Sequence, residues 1–235
     1  MTDRKIAVEA QFDGMIGDKP PIDYNFDLAT MGRKDRRIAK RLLAEDLAGK
    51  RCLDIGPGTG RWLTFMKRNS ASYLAGIDIS SEVLSRCAAL CDRTQKADLE
   101  IDRFDFESDF FHVVLSIEVL EHIREPETYL SEILRVARDG GLVLMSIPNI
   151  VSLISRVRLL VGLLPPVIAS DRTHVSFYRK QDLRRLLAPY GLTPTFLPTS
   201  ISLNPMNPKS RFRLPSTSWL SSLDDSLLFA MRVRK

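Results

Sequence analysis

The segment Glu118-Val119-Leu120-Glu121-His122 sets two carboxylates and an imidazole side by side. On a helix they fall at i, i+3 and i+4 and share one face. Converging there, they can hold a divalent cation or act as a general base, and a structural role is the remaining reading. A second concentration lies upstream, where Cys52-Leu53-Asp54-Ile55 runs as an apolar strand into Gly56-Pro57-Gly58-Thr59-Gly60. Glycines at 56, 58 and 60 remove every Cβ where the chain turns into a helix, so a ligand can lie directly on the backbone. Asp54 adds a carboxylate at that edge. Asp78 follows about 20 residues after the turn, where such folds place an acid against ribose hydroxyls.

These residues need strands that end at one edge. Residues 72–77 read as a second strand delivering Asp78. Phe111-His112-Val113-Val114-Leu115-Ser116-Ile117 is a third clear strand, delivering Glu118 to the carboxyl edge where ligands sit in an open α/β sheet. Apolar stripes mark the helices between them. Ile38, Leu42, Leu43 and Leu47 predict one over 34–47. Trp62, Leu63, Phe65 and Met66 predict another over 61–68. Val83, Leu84, Cys87, Ala88 and Cys91 predict a third, capped by Ser80 or Ser81. A fourth over 127–137 carries Tyr129, Leu130, Ile133 and Leu134, and Asp139-Gly140-Gly141 is expected to end it through left-handed dihedrals. Strand and helix alternate, which predicts an α/β domain with a doubly wound, mostly parallel sheet.

At 235 residues and 44% hydrophobic content the chain can bury one sizeable core, so a single domain with additions is expected. A net charge of +5 permits an anionic partner without arguing for one, and nucleic acid is not the expected partner. Three cysteines, an odd number without a secretory leader, point to reduced thiols and a cytoplasmic location.

The glycine spacing decides between cofactors. A dinucleotide fingerprint reads G-x-G-x-x-G, whereas this turn reads G-x-G-x-G. With Leu53-Asp54 before it and Gly76-Ile77-Asp78-Ile79-Ser80 after it, the pattern resembles the class I S-adenosylmethionine (SAM) methyltransferases. The resemblance runs from about residue 38 to residue 192, and Pro148-Asn149 closes the fifth strand in the manner of that family. It implies a Rossmann-like sheet of seven strands, with a sixth over 195–201 and an antiparallel seventh over 227–233. It also implies SAM as cofactor, bound by Asp54, Gly56, Gly58, Gly60, Asp78, Ile79 and Ile117, with Asp98 reaching the adenine amino group and Leu99 beside the ring. His112 stands where the family has an acid and is expected to be structural.

Within the family, the E-x-x-E-H segment is similar to that of the magnesium-dependent O-methyltransferases of ubiquinone biosynthesis and of small-RNA 3′ ends. By that resemblance His174 joins Glu118, Glu121 and His122 as a ligand of Mg2+, and His122 or His174 is the base. The expected reaction is O-methylation of a small molecule: a phenol or quinone precursor, or a sugar on a glycan or lipid carrier. An RNA 3′-terminal methyltransferase and a non-catalytic SAM-binding protein are the alternatives. The expected organisation is an arm over 1–33, a SAM-binding core over 34–149, an apolar lid over 150–176 and the remainder of the same domain over 177–235. The insertion 150–169 is too short and too broken by Pro165-Pro166 to cross a membrane, and reads as a cap on the acceptor pocket or as a helix lying on a membrane or a second subunit.

Overall fold

The computed structural model describes residues 9, 12, 26–203 and 213–235. Most of the expected arm, and residues 204–212 of the Pro- and Asn-rich loop, lie outside these.

The sheet has seven strands: β1 (Arg51–Ile55), β2 (Tyr73–Asp78), β3 (Arg93–Lys96), β4 (Phe111–Ile117), β5 (Ala137–Pro148), β6 (Thr195–Leu197) and β9 (Ser226–Arg232). Their order is β3-β2-β1-β4-β5-β9-β6, with β9 alone antiparallel to its neighbours. This is the Rossmann-like arrangement expected, and the order reverses between β1 and β4. A crevice opens there, outside the strand ends, where open α/β sheets bind ligands.

Side chains alternate across the pleat, so each central strand feeds two cores. Val113 and Leu115 of β4 pack under α1 (Arg33–Leu43) and α2 (Arg61–Arg68), with Ile38, Leu42, Leu63 and Met66. Val114 faces the opposite layer, against Tyr129, Leu130 and Ile133 of α4 (Glu127–Val136). Val113, Val114 and Leu115 are all fully buried, and each such side chain contributes roughly 1.5–3 kcal/mol. Between β2 and β3, α3 (Ser81–Cys87) is capped by Ser80, whose hydroxyl accepts from the Val83 N–H at 3.2 Å.

Three expectations are corrected. The first helix stops at Leu43, and Asp46 beyond it takes a positive φ of 48°. Helix α4 ends at Val136 because Ala137 is already extended and paired with Phe111. Asp139-Gly140-Gly141 therefore does not cap it but forms a bulge in β5, with Gly140 at φ 71° and its N–H donating to the Val233 carbonyl at 2.9 Å. The strand expected over 195–201 breaks at Pro198, which cannot donate to a ladder. Beyond it β7 (Ser200–Ser202) pairs with β8 (Arg213–Pro215) in a separate two-stranded sheet. The E-x-x-E-H segment, whose helical form the sequence leaves open, holds a single 3-10 turn, as described below.

The insertion after β5 forms α5 (Leu153–Leu160) and α6 (Pro166–Ala169), and α7 (Lys180–Leu187) returns the chain to the sheet. Ile154 and Val167 are buried, but Leu159, Leu160, Val161 and Leu164 are 58%, 87%, 62% and 57% exposed.

The bulge in β5 is sterically closed. A Cβ on Gly141 would lie 2.8 Å from the Arg138 carbonyl oxygen and 3.3 Å from that of Phe111, both backbone atoms. Gly141→Ala should therefore cost roughly 1–3 kcal/mol; an unchanged urea midpoint would show that the bulge yields.

Candidate active site

The turn after β1 carries the chain from a buried strand to α2 in three left-handed steps, at Gly56, Gly58 and Gly60. A Cβ on Gly56 would meet Val119 Cγ2 at 2.5 Å, so this glycine lets the turn lie against the segment after β4. Gly58 meets nothing within 4 Å and leaves its face open to a ligand. Gly60 begins α2 without a side-chain cap.

A cavity lies beside this turn. Of the residues expected at the cofactor, Gly56, Gly58, Asp78, Ile79, Asp98 and Leu99 line it, whereas Asp54, Gly60 and Ile117 do not. Asp78 is oriented by its own turn, accepting the Ser80 N–H at 2.8 Å. Asp98 is 4% exposed and accepts the Glu100 N–H at 3.0 Å. Asp54 is 1% exposed, and its Oδ2 finds no hydrogen-bond partner among the described residues. Burial, and then the charge of Asp78, push the Asp54 carboxyl well above its ordinary value. The cavity wall also includes Phe12, Val83, Glu100, Val119 and Ile123. Val119 follows Glu118 and Ile123 follows His122, so adjacency points to both; nothing in the sequence signals Phe12.

After β4 the backbone does not enter a helix. The Glu118 N–H continues the sheet ladder, donating to the Ser146 carbonyl at 2.9 Å, and Glu118 then takes a left-handed φ of 58°. Only Leu120–His122 forms a single 3-10 turn. Glu118 stays close enough for its charge to act on Glu121 but is not among the side chains whose ligand atoms meet. Its carboxylate accepts from Ser146 Oγ at 2.6 Å and pairs with Lys34 Nζ of α1 at 3.1 Å. Burial alone would raise the Glu118 carboxyl; Lys34 and Ser146 outweigh it and hold the group below its ordinary value.

Glu121, His122 and His174 do converge, each offering a ligand atom within 4.8 Å of the others. Backbone bonds bring them together. The Glu121 carbonyl accepts the N–H groups of Val175 at 2.9 Å and Ser176 at 3.0 Å, pinning the later segment onto the 3-10 turn. The ring centroids of His122 and His174 are then 4.9 Å apart, and Phe12 packs its edge on His122 at 5.2 Å. His174 Nδ1 donates to the Val167 carbonyl of α6 at 2.7 Å, which leaves Nε2 facing Asp171 Oδ2 at 3.6 Å and Glu121 Oε1 at 4.0 Å. Both Glu121 carboxyl oxygens lack hydrogen-bond partners among the described residues, and burial followed by the Glu118 charge pushes this group well above its ordinary value. Burial lowers the His122 pKa, favouring the neutral imidazole. His112 lies at the other end of β4, between Arg51 and Arg138, remote from this cluster.

A family model described as a methyltransferase domain matches residues 29–195. A ubiquinone biosynthesis O-methyltransferase of Neisseria meningitidis is 30% identical over 110 residues, 44% of this chain and 46% of that protein. A phosphatidylethanolamine N-methyltransferase of Cereibacter sphaeroides is 27% identical over 124 residues, 50% of this chain and 59% of that protein. The matched stretch thus spans about half the length of these curated relatives. Among solved structures, a SAM-dependent methyltransferase of Mesorhizobium loti shares the fold with a TM-score of 0.58 and 16% identity, covering 87% of this chain and 99% of that one. With the model matching well over half of its length, this chain belongs to the methyltransferase-domain family of class I SAM-dependent enzymes.

Proposed function

We propose that this protein transfers the methyl group of SAM to a hydroxyl of a small or lipid-borne acceptor, with His122 as general base. One observation carries the reading: a single cavity runs from the glycine turn and Asp78 to the half-buried imidazole of His122. The residues fit the cofactor. Gly58 offers backbone with open space above it, and Asp54, repelled by Asp78 and lacking a partner at Oδ2, suits a cationic group nearby. SAM, when bound, supplies a methyl already activated on sulfur. The chain has then to align the acceptor oxygen for in-line displacement, exclude water and take one proton. With SAM bound, His122 Nε2 would take the proton that the acceptor hydroxyl gives up on methylation. His174 is the second candidate base, tied to α6 through Val167. A phenol or quinone precursor is the acceptor class favoured by the kinship with ubiquinone O-methyltransferases; the phosphatidylethanolamine methyltransferase adds a precedent for a lipid-borne one.

A divalent cation is a second reading, supported by the buried Glu121 carboxyl without hydrogen-bond partners beside two imidazoles. Glu121, His122 and His174 would hold it, and it would lower the pKa of an acceptor hydroxyl. Two nitrogens and one carboxylate suit an ion such as Mn2+ better than Mg2+, which prefers oxygen ligands, and Glu118 is committed to Lys34.

The insertion 150–169 is read as a lid whose outer face rests on a membrane on the cytoplasmic side. Exposed Leu159, Leu160 and Leu164 stand beside Arg156 and Arg158, a combination suited to an anionic lipid surface. No helix among the described residues is long and apolar enough to cross a membrane.

Three outcomes are expected. In calorimetry, SAM and S-adenosylhomocysteine bind, and Asp78→Ala weakens both roughly 100-fold through two lost charge-assisted hydrogen bonds; no binding to the folded protein would sink the methyltransferase reading. The raised Asp54 pKa means that its contribution to stability is intact below the unfolded value of 3.8 and is lost as pH rises through the folded value. Asp54→Asn should therefore melt higher than the wild type at neutral pH, with the gap closing below about pH 4, while binding SAM less tightly. Co-sedimentation with phosphatidylglycerol vesicles should be lost in Leu159→Ser/Leu160→Ser; wild-type protein left in the supernatant would refute the membrane contact.

A further inference from the structure

We infer that Asp171 and Thr173 are positioning residues that lock the His122 ring with its hydrogen on Nδ1 and its lone pair on Nε2. The inference rests on the reading of His122 as the base, and it concerns residues to which neither the motif nor the family resemblance assigns a role.

Asp171 Oδ1 accepts two hydrogen bonds from Thr173: one from the N–H at 2.8 Å and one from the hydroxyl at 2.6 Å. The only hydrogen of that hydroxyl is thereby spent on the carboxylate. Thr173 Oγ1 can then act toward a third group only as an acceptor. The group facing it is His122 Nδ1, at 2.9 Å. The Thr173 carbonyl lies 3.2 Å from the same nitrogen, and a carbonyl can only accept. Two acceptors on one ring nitrogen require that nitrogen to carry the hydrogen. Nε2 is left as the bare acceptor, across the ring from the anchored atom.

The remaining contacts agree. The second Asp171 oxygen lies 3.6 Å from His174 Nε2, so the carboxylate stands between the two rings without taking the Thr173 bonds away from Oδ1. Phe12 packs nearly perpendicular to His122, with an interplanar angle of 88°, and restrains the ring plane. After proton transfer the imidazolium would be stabilised by the Asp171 charge, relayed through the Thr173 hydroxyl, as in the triads in which a carboxylate orients a catalytic histidine.

The chain has three histidines, so long-range 1H–15N spectra of protein labelled at histidine reduce to three ring patterns, assigned with His112→Gln and His174→Gln. Spectra are recorded on the full chain, with chelator, at a pH where the rings are neutral. His122 is expected to show the Nδ1–H pattern in the wild type and in Thr173→Ser. In Asp171→Ala the Thr173 hydroxyl hydrogen is free to turn to Nδ1, and the pattern should move toward Nε2–H; Thr173→Val should lose part of the Nδ1–H population. A wild-type His122 in the Nε2–H form overturns the inference, as does an unchanged Nδ1–H population in Thr173→Val. The wild-type spectrum and the Ser/Val pair decide the matter even where Asp171→Ala fails to fold. These spectra require no acceptor, so absence of methyl transfer alongside the expected patterns would overturn the O-methylation reading and leave the relay standing.

Discussion

Parallel pairing of β1 with β4 is the constraint on which the site depends. In register, Cys52 lies beside Val113 and Ile55 beside Ser116, so the two strands end together. One strand end releases a chain of glycines and the other a chain of acids and a histidine. Neither loop could form a crevice alone. A pairing shift of one residue would exchange every side chain between the two cores and separate Gly56 from Val119.

The acidic groups at this crevice occur as two neighbouring pairs with opposite environments. Glu118 has Lys34 and a hydroxyl and stays ionised, whereas Glu121 has neither and is pushed toward its neutral form. Asp78 holds a turn N–H, whereas Asp54 sits behind it in the strand with one oxygen lacking a hydrogen-bond partner. Carboxylates driven apart in this way are characteristic of sites where charge is to be matched by a ligand rather than by the protein itself.

Much of this was legible in the sequence because it is local. The glycine turn, Asp78 and the alternating buried strands are written in consecutive residues, and Trp62 to Met66 mark their helix by spacing. Spacing alone leaves open whether 118–122 is helical, because periodicity reports which face residues would share, not whether the backbone is still held by a neighbouring strand. The Glu118 N–H belongs to the ladder with Ser146. His174 could be joined to His122 only by resemblance, since the bond linking them runs through the Glu121 carbonyl, and backbone carbonyls have no signature in a sequence. Asp171 and Thr173 were passed over for a related reason: their chemistry lies in the direction of one hydroxyl hydrogen. Pro198, by contrast, is written in the sequence: a residue without an N–H interrupts the ladder of the sixth strand.

The Glu121 carbonyl holds Val175 and Ser176, and His174 in turn holds the Val167 carbonyl of α6. These bonds join α6 to the turn after β4 through the very segments that bear the imidazoles. Lifting α6 away would break the contact to His174 and loosen the histidine pair. Position and chemistry are thereby coupled: the backbone of α6 fixes the orientation in which the His174 ring is presented to Glu121 and His122.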